Sequence, residues 1–160
     1  MKHTLSVYVR NRSGVLSRVA GLFSGRGYNI DSLCVAETNE PGYSLMTIVV
    51  NGNDAVIEQI NKQLNKLIDV VKVITHSGDE IVVRELMLVK INATAQTRSE
   101  IVQITNIFRG HIVDLSPKSL IVEIYGTNEK LMAALEMFAP FGIKDIVRTG
   151  SIAMTRLYNK

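Results

Sequence analysis

An α+β fold built from two successive βαββαβ halves is predicted by three features of this sequence. Apolar residues alternate with polar ones in some segments and recur at helical spacing in others. The order of those segments then repeats once, and a short polar run separates the two copies.

The elements follow in order. Thr4 to Val9 places Leu5, Val7 and Val9 on one side and Ser6 and Tyr8 on the other, the pattern of a half-buried strand. From Val15 to Ser24 the period changes, and Val15, Leu16, Val19, Ala20 and Phe23 make a helical apolar stripe. Gly25-Arg26-Gly27 closes it, because glycine accepts the left-handed conformation that ends a helix. Ile30 to Thr38 and Tyr43 to Val50 are strands around the turn Asn39-Glu40-Pro41-Gly42. Asn53 or Asp54 caps a helix carrying Ile57, Ile60, Leu64 and Leu67, and Val70 to His76 is the last strand.

The polar run Ser77-Gly78-Asp79-Glu80 predicts a linker, taken as residues 77–82, between a first domain over 1–76 and a second over 83–160. Val83 to Asn92 is a strand and Ser99 to Phe108 a helix with Ile101, Ile104, Ile107 and Phe108 inward, closed by Arg109-Gly110. Ile112 to Leu115 and Leu120 to Tyr125 flank Ser116-Pro117-Lys118; Thr127 starts a helix with Leu131, Leu135 and Phe138; Ile143 to Arg148 closes the sheet. Both halves are ferredoxin-like. In such a half the helices cover one sheet face, yet Tyr43 to Val50 and Glu85 to Ile91 are apolar on both sides, so another copy or a partner is expected to pack there.

Composition removes several functions. No apolar run reaches the roughly 20 residues that cross a bilayer, and Met1-Lys2-His3-Thr4 lacks a signal peptide's apolar centre. The formal charge of +3 is spread along the chain, so no phosphate-tracking patch for nucleic acid is predicted. A single cysteine, Cys34, leaves no internal disulfide and suits a reducing cytoplasm. His3 and His76 could approach across neighbouring strands, but two histidines make a poor zinc site, and His111 has no evident partner. Asp31, Glu37 and Glu40 specify no acid–base pair, and Cys34 and the six methionines read as packing residues. No catalytic residue and no metal site are predicted.

The informative segment is Asn11-Arg12-Ser13-Gly14-Val15-Leu16, between the first strand and the first helix. A helix start leaves N–H groups unpaired and carries partial positive charge, which suits a small anion such as a carboxylate. Gly14 lets a ligand reach the backbone, Asn11 offers an amide, Ser13 can cap the helix, and Val15 and Leu16 add apolar surface. An aliphatic amino acid fits this combination better than a nucleotide, whose phosphate-loop signatures are missing. The same residues also make an ordinary tight turn and cap, so the loop alone is suggestive and not specific.

Longer motifs narrow the choice. The run from Asn11 to Ser24, then Arg26-Gly27-Tyr28-Asn29-Ile30-Asp31-Ser32-Leu33 and Met46-Thr47-Ile48, resembles the opening of acetolactate synthase small subunits. Arg84 to Ile91 and Ile107 to Asp114 resemble that family's second domain, and the likeness covers nearly the whole chain. It implies an N-terminal ACT domain that joins a second copy edge to edge. Valine or a related branched-chain product would lie between Asn11, Ser13, Gly14, Val15 and Leu16 of one chain and Asn29 and Ile30 of its neighbour. It further implies a regulatory, non-catalytic chain bound to a larger catalytic subunit that carries thiamine diphosphate, magnesium and FAD, with no cofactor on this chain. Ser13 stands where many ACT domains have proline, and Leu45 where the likeness would place arginine.

Two other functions share the fold. An RNA-binding sheet would need aromatics on its central strands, where Tyr8 is present but Met46 and Ile48 stand on the third strand. An acylphosphatase-like enzyme would need a phosphate loop that Asn11 and Arg12 only faintly echo. Another amino-acid-sensing ACT regulator is the nearer alternative.

Overall fold

The structure, a computed structural model, describes residues 1–76 and 80–157. Its first part runs β1 (Lys2–Arg10), α1 (Val15–Ser24), β2 (Ile30–Glu37), β3 (Tyr43–Asn51), α2 (Asp54–Leu64) and β4 (Val70–His76). The antiparallel sheet has the order β2-β3-β1-β4, so β2 and β4 are its edges. Leu5, Val7 and Val9 of β1 and Met46, Ile48 and Val50 of β3 point to the helices. They meet Val15, Val19, Leu22 and Phe23 of α1 and Ile57, Ile60 and Leu64 of α2. Each such buried side chain stabilises by about 1.5–3 kcal/mol over exposure. Leu67 lies past the end of α2, where its N–H reaches the Leu64 carbonyl at 3.0 Å, yet it still packs on this core.

The second part runs β5 (Ile81–Asn92), α3 (Arg98–Ile107), β6 (His111–Leu115), β7 (Ser119–Gly126), α4 (Asn128–Phe138), a short 3-10 turn (Ala139–Phe141), β8 (Ile143–Arg148) and β9 (Ile152–Thr155). Its sheet is ordered β6-β7-β5-β8, and β9 pairs with β5. Met87, Val89 and Ile91, with Leu120, Val122 and Ile124, pack on Ile101, Ile104, Leu131, Ala134 and Phe138. The βαββαβ order of both halves and the ferredoxin-like class agree with the reading of the sequence.

Some expectations need correction. Strand β5 begins at Ile81, so Ile81 and Val82 extend a strand where a linker over 77–82 was expected; Ser77 to Asp79 lie outside the described residues. Ile107 is 75% exposed, and Thr105 is buried in its place, its hydroxyl donating to the Ile101 carbonyl at 2.8 Å. The inward stripe runs through Ile101, Ile104, Thr105 and Phe108, at spacings of three and four, and Ile107 falls beside it. By compactness the chain divides into Met1–Val82 joined by the residues from Ser151 on, and Val83–Gly150. Within the first unit Ser151 N–H donates to Ser32 Oγ at 3.0 Å and Arg156 N–H to the Glu80 carbonyl at 2.8 Å.

The ends of α1 and α3 use the same device with different residues. After α1, Tyr28 N–H returns to Phe23 and Gly27 N–H to Ser24, with Gly27 left-handed at φ 70°. After α3, Gly110 N–H returns to Thr105 and Arg109 N–H to Asn106. There the left-handed residue is Arg109, at φ 55°, and not the glycine. Gly110 is required for another reason: a Cβ on it would stand 2.8 Å from the Glu123 carbonyl oxygen and from Ile124 Cγ1.

These geometries set opposite signs for two substitutions. Arg109→Gly relieves about 1–2 kcal/mol of left-handed strain, set against about 0.4–1 kcal/mol of added unfolded-state freedom. A net gain between about zero and about 1.6 kcal/mol is expected in urea denaturation. Gly110→Ala is expected to cost about 1–3 kcal/mol, because backbone cannot yield as a side-chain tip can. Unchanged stability in Gly110→Ala would contradict the close approach.

Candidate functional site

The loop after β1 is tied down from two sides. Arg10 N–H donates to the Asp69 carbonyl at 2.9 Å and Asn11 N–H to the Gly42 carbonyl at 2.8 Å. Asn11 Nδ2 donates to Glu37 Oε1 at 2.7 Å, joining the loop to the far end of β2. Gly14 occupies the cap position of α1 with φ 82° and ψ −4°. Ser13, expected to cap the helix, does not: no side chain caps α1, because left-handed Gly14 takes the position that a capping hydroxyl would hold. Val15 is only 3% exposed and its side chain joins the core, which leaves Leu16 as the exposed apolar side chain beside the loop.

What the loop offers is backbone. Val15 N–H reaches back to the Arg12 carbonyl at 3.3 Å, and Gly14 O accepts from Arg18 N–H at 3.0 Å. Among the described residues, the N–H groups of Ser13, Gly14, Leu16 and Ser17 meet no acceptor. A left-handed residue followed by a helix start thus presents donors and the positive end of the peptide dipoles to one spot.

Two residues that the sequence reading passed over stand beside this spot. Arg18 Nη2 donates to Asp69 Oδ2 at 2.5 Å, and Asp69 is nearly buried while Arg18 is half exposed. A Cβ on Gly14 would lie 3.0 Å from Arg18 Nη1. The signal in the sequence was the separation of Gly14 and Arg18 by one helical turn, which puts both on one face.

Asn29 and Ile30 lie elsewhere in the chain. Asn29 is exposed, with Nδ2 3.4 Å from Asp31 Oδ1, and Ile30 is opposite Val50. Arg10 is opposite Tyr43. Val50 and Tyr43 mark the two ends of β3, about 23 Å apart at about 3.3 Å per residue. A single chain therefore does not bring Asn29 and Ile30 to the loop at Asn11 to Leu16.

The equivalent loop in the second half is closed on itself. Thr94 N–H donates to Thr97 Oγ1 at 2.9 Å and Thr97 N–H to Thr94 Oγ1 at 3.2 Å. Ala93 N–H is taken by the Lys118 carbonyl at 2.9 Å. Of the four positions open in the first loop, the one at the cap is taken here, Thr97 N–H by the Thr94 hydroxyl.

The histidines and the buried Glu85 have structural partners. His3 Nε2 lies 3.1 Å from the Gly52 carbonyl and His76 Nε2 2.7 Å from Ser6 Oγ, so the two histidines serve separate contacts. His111 is 4.0 Å from Glu123. Buried Glu85 is gripped by Arg148 through Nε at 2.6 Å and Nη2 at 2.9 Å, and Arg148 also donates to Asn128 at 2.7 Å. Hydrogen bonding to Glu85 raises the arginine's pKa above its usual value. Among the described residues no group of three His, Cys, Asp or Glu is placed to hold a metal, and no helix is long and apolar enough to cross a membrane.

Burial lowers the pKa of His76 below 6.5, since its charged form loses water. The unfolded chain therefore binds more protons than the fold as pH drops through 6.5 toward the folded value. Stability is expected to be full above pH 6.5 and to decline below it. His76→Gln should flatten that decline in denaturation midpoints measured from pH 7.5 to 5.5; an unaltered slope would assign it to other groups.

Comparison with known proteins adds an independent line. A family model described as "AHAS small subunit-like ACT domain" matches residues 5–72, and one described as "Small subunit of acetolactate synthase" matches residues 84–157. A probable acetolactate synthase small subunit of Archaeoglobus fulgidus is 51% identical over 158 residues, 98% of this chain and 98% of that protein. The acetolactate synthase small subunit of Mycobacterium bovis is 48% identical, over 96% of this chain and 92% of its own length. The crystal structure of the small subunit from Thermotoga maritima superposes with a TM-score of 0.93 at 40% identity, over 99% of both chains.

Proposed function

Since this chain belongs to the family of acetolactate synthase small subunits, we propose that it raises the activity of a separate catalytic subunit and makes that activity sensitive to valine. The effector site in this reading is shared between two chains. The observation that carries it is the separation of Asn11–Leu16 and Asn29–Ile30 at opposite ends of a sheet whose edge strand is β2. Two copies joined antiparallel through β2 would set the start of that strand in one chain beside its end, Glu37, in the other. Glu37 is bonded to Asn11, so the two half-sites would meet twice, once at each end of the seam.

At each meeting point the open N–H groups of Ser13, Gly14, Leu16 and Ser17 would hold the effector's carboxylate. Leu16 and, from the neighbour, Ile30 would flank its aliphatic side chain, and Asn29 would supply an amide from the neighbour. Val15 would contribute through its backbone, its side chain being buried in the core. A branched aliphatic amino acid fits this balance of one charged end and one apolar end.

Thiamine diphosphate, magnesium and FAD are assigned in this reading to the catalytic chain, which joins two 2-keto acids with loss of carbon dioxide. A cytoplasmic setting goes with it, Cys34 being a free thiol. The isolated chain, supplied with thiamine diphosphate and magnesium, is expected to form no acetolactate; activity there would overturn the non-catalytic role.

Gly14→Asp is expected to abolish valine sensitivity while leaving activation of the catalytic subunit largely intact. Aspartate tolerates the left-handed conformation better than most residues, at a cost of about 1 kcal/mol, so the fold should survive. Its carboxylate would occupy the anion's place, and coupling of about 1–3 kcal/mol is small enough to be erased. Asn29→Ala should weaken valine binding from across the seam. In mixed dimers of a Gly14→Asp chain with an Asn29→Ala chain, both defects fall in one site and the other site is intact. Titration calorimetry should then recover about half the sites of wild type; recovery no better than either parent would rule out the shared site.

A further inference from the structure

Resting on the effector site proposed above, we infer that Arg18, braced by Asp69, is a specificity-determining residue that widens this site's preference for a free carboxylate over its uncharged amide. The geometry begins with Gly14. Its missing side chain leaves a gap into which Arg18 projects, Nη1 lying 3.0 Å from where a Cβ would stand. The other terminal nitrogen, Nη2, is held at 2.5 Å by Asp69 Oδ2. Asp69 is nearly buried and its backbone carbonyl also receives the Arg10 N–H, so this brace is part of the fold at the end of β1.

A guanidinium fixed through one nitrogen keeps its other donors aimed, because the group is planar and its N–H bonds form a rigid fork. Among the described residues Nη1 has no acceptor, and it stands over the same loop whose N–H groups at Ser13, Gly14, Leu16 and Ser17 are open. The loop N–H groups donate to either ligand and already favour the ionised one, since a hydrogen bond with an ionised partner is markedly stronger than a neutral one. Arg18 widens that gap, because in its bond to a carboxylate both partners are charged. Asp69 offsets part of that charge at long range, while the donor facing Gly14 stays available at short range. The same arrangement explains why position 14 takes glycine beyond its positive φ: a side chain there would displace the guanidinium.

Titration calorimetry of the full chain with L-valine and with L-valinamide tests the assignment. The wild type should bind valine at least about tenfold more tightly than valinamide, the scale of one hydrogen bond to a charged group. Arg18→Gln should weaken valine about tenfold and valinamide by clearly less, and Arg18→Lys should recover part of the loss. Because Arg18→Gln alone strands the Asp69 carboxylate, the double variant Arg18→Gln with Asp69→Asn serves as the folded control, with its melting temperature near that of wild type. Undiminished discrimination in the folded double variant would overturn the assignment, and so would an equal loss for both ligands, which marks a merely structural role. A wild-type chain that binds neither valine nor leucine would remove the effector site itself.

Discussion

Burial of one face of each antiparallel sheet beneath two helices is the constraint from which the other features follow. In the first half, the alternation of Leu5, Val7 and Val9 commits β1 to a single orientation, and pairing with β3 commits Met46, Ile48 and Val50 to the same side. A one-residue slip would turn every one of these side chains away from Phe23 and Ile60. With the register held, Arg10 must end opposite Tyr43, and the chain must turn there toward α1. The loop at Asn11 to Gly14 therefore sits where core packing puts it, anchored by Gly42 and Asp69, before any ligand is considered.

The two halves show how one framework carries unequal roles. Both place a loop between their first strand and first helix, and both close that helix with a left-handed residue. The first loop places a left-handed glycine, Gly14, at the helix cap, whereas in the second the cap residue Thr97 and Thr94 bond each other's backbone through their hydroxyls. In the second half Arg148, at the end of β8, bridges the buried Glu85 of β5 and Asn128 at the start of α4.

Much of this was legible from residue order. The alternation in β1 and the stripe in α1 are long and clean, so their bounds are recovered to within about a residue or two. The misplaced Ile107 shows the limit, since three nearby isoleucines leave the inward stripe ambiguous until the polar Thr105 is known to bond its own helix. Strand β9 has four residues, too short to display a period, and its partner is distant in sequence. The tight turn at the helix start was legible through Gly14, but the Arg18–Asp69 pair was not, because Asp69 approaches from the far end of the domain's sequence. Neither could spacing reveal that Ser13 stays off the helix cap, which depends on the backbone angle at Gly14.

The placement of the two half-sites at opposite ends of β3 carries a consequence for mass action in the proposed dimer. An effector that touches both chains binds the pair and not the separated subunits, so each occupied site adds to the free energy of association. Apparent effector affinity should then weaken on dilution, and the effector in turn should slow exchange of subunits between dimers. The small molecule that reports the end product's abundance would also act as a clasp between the chains that read it.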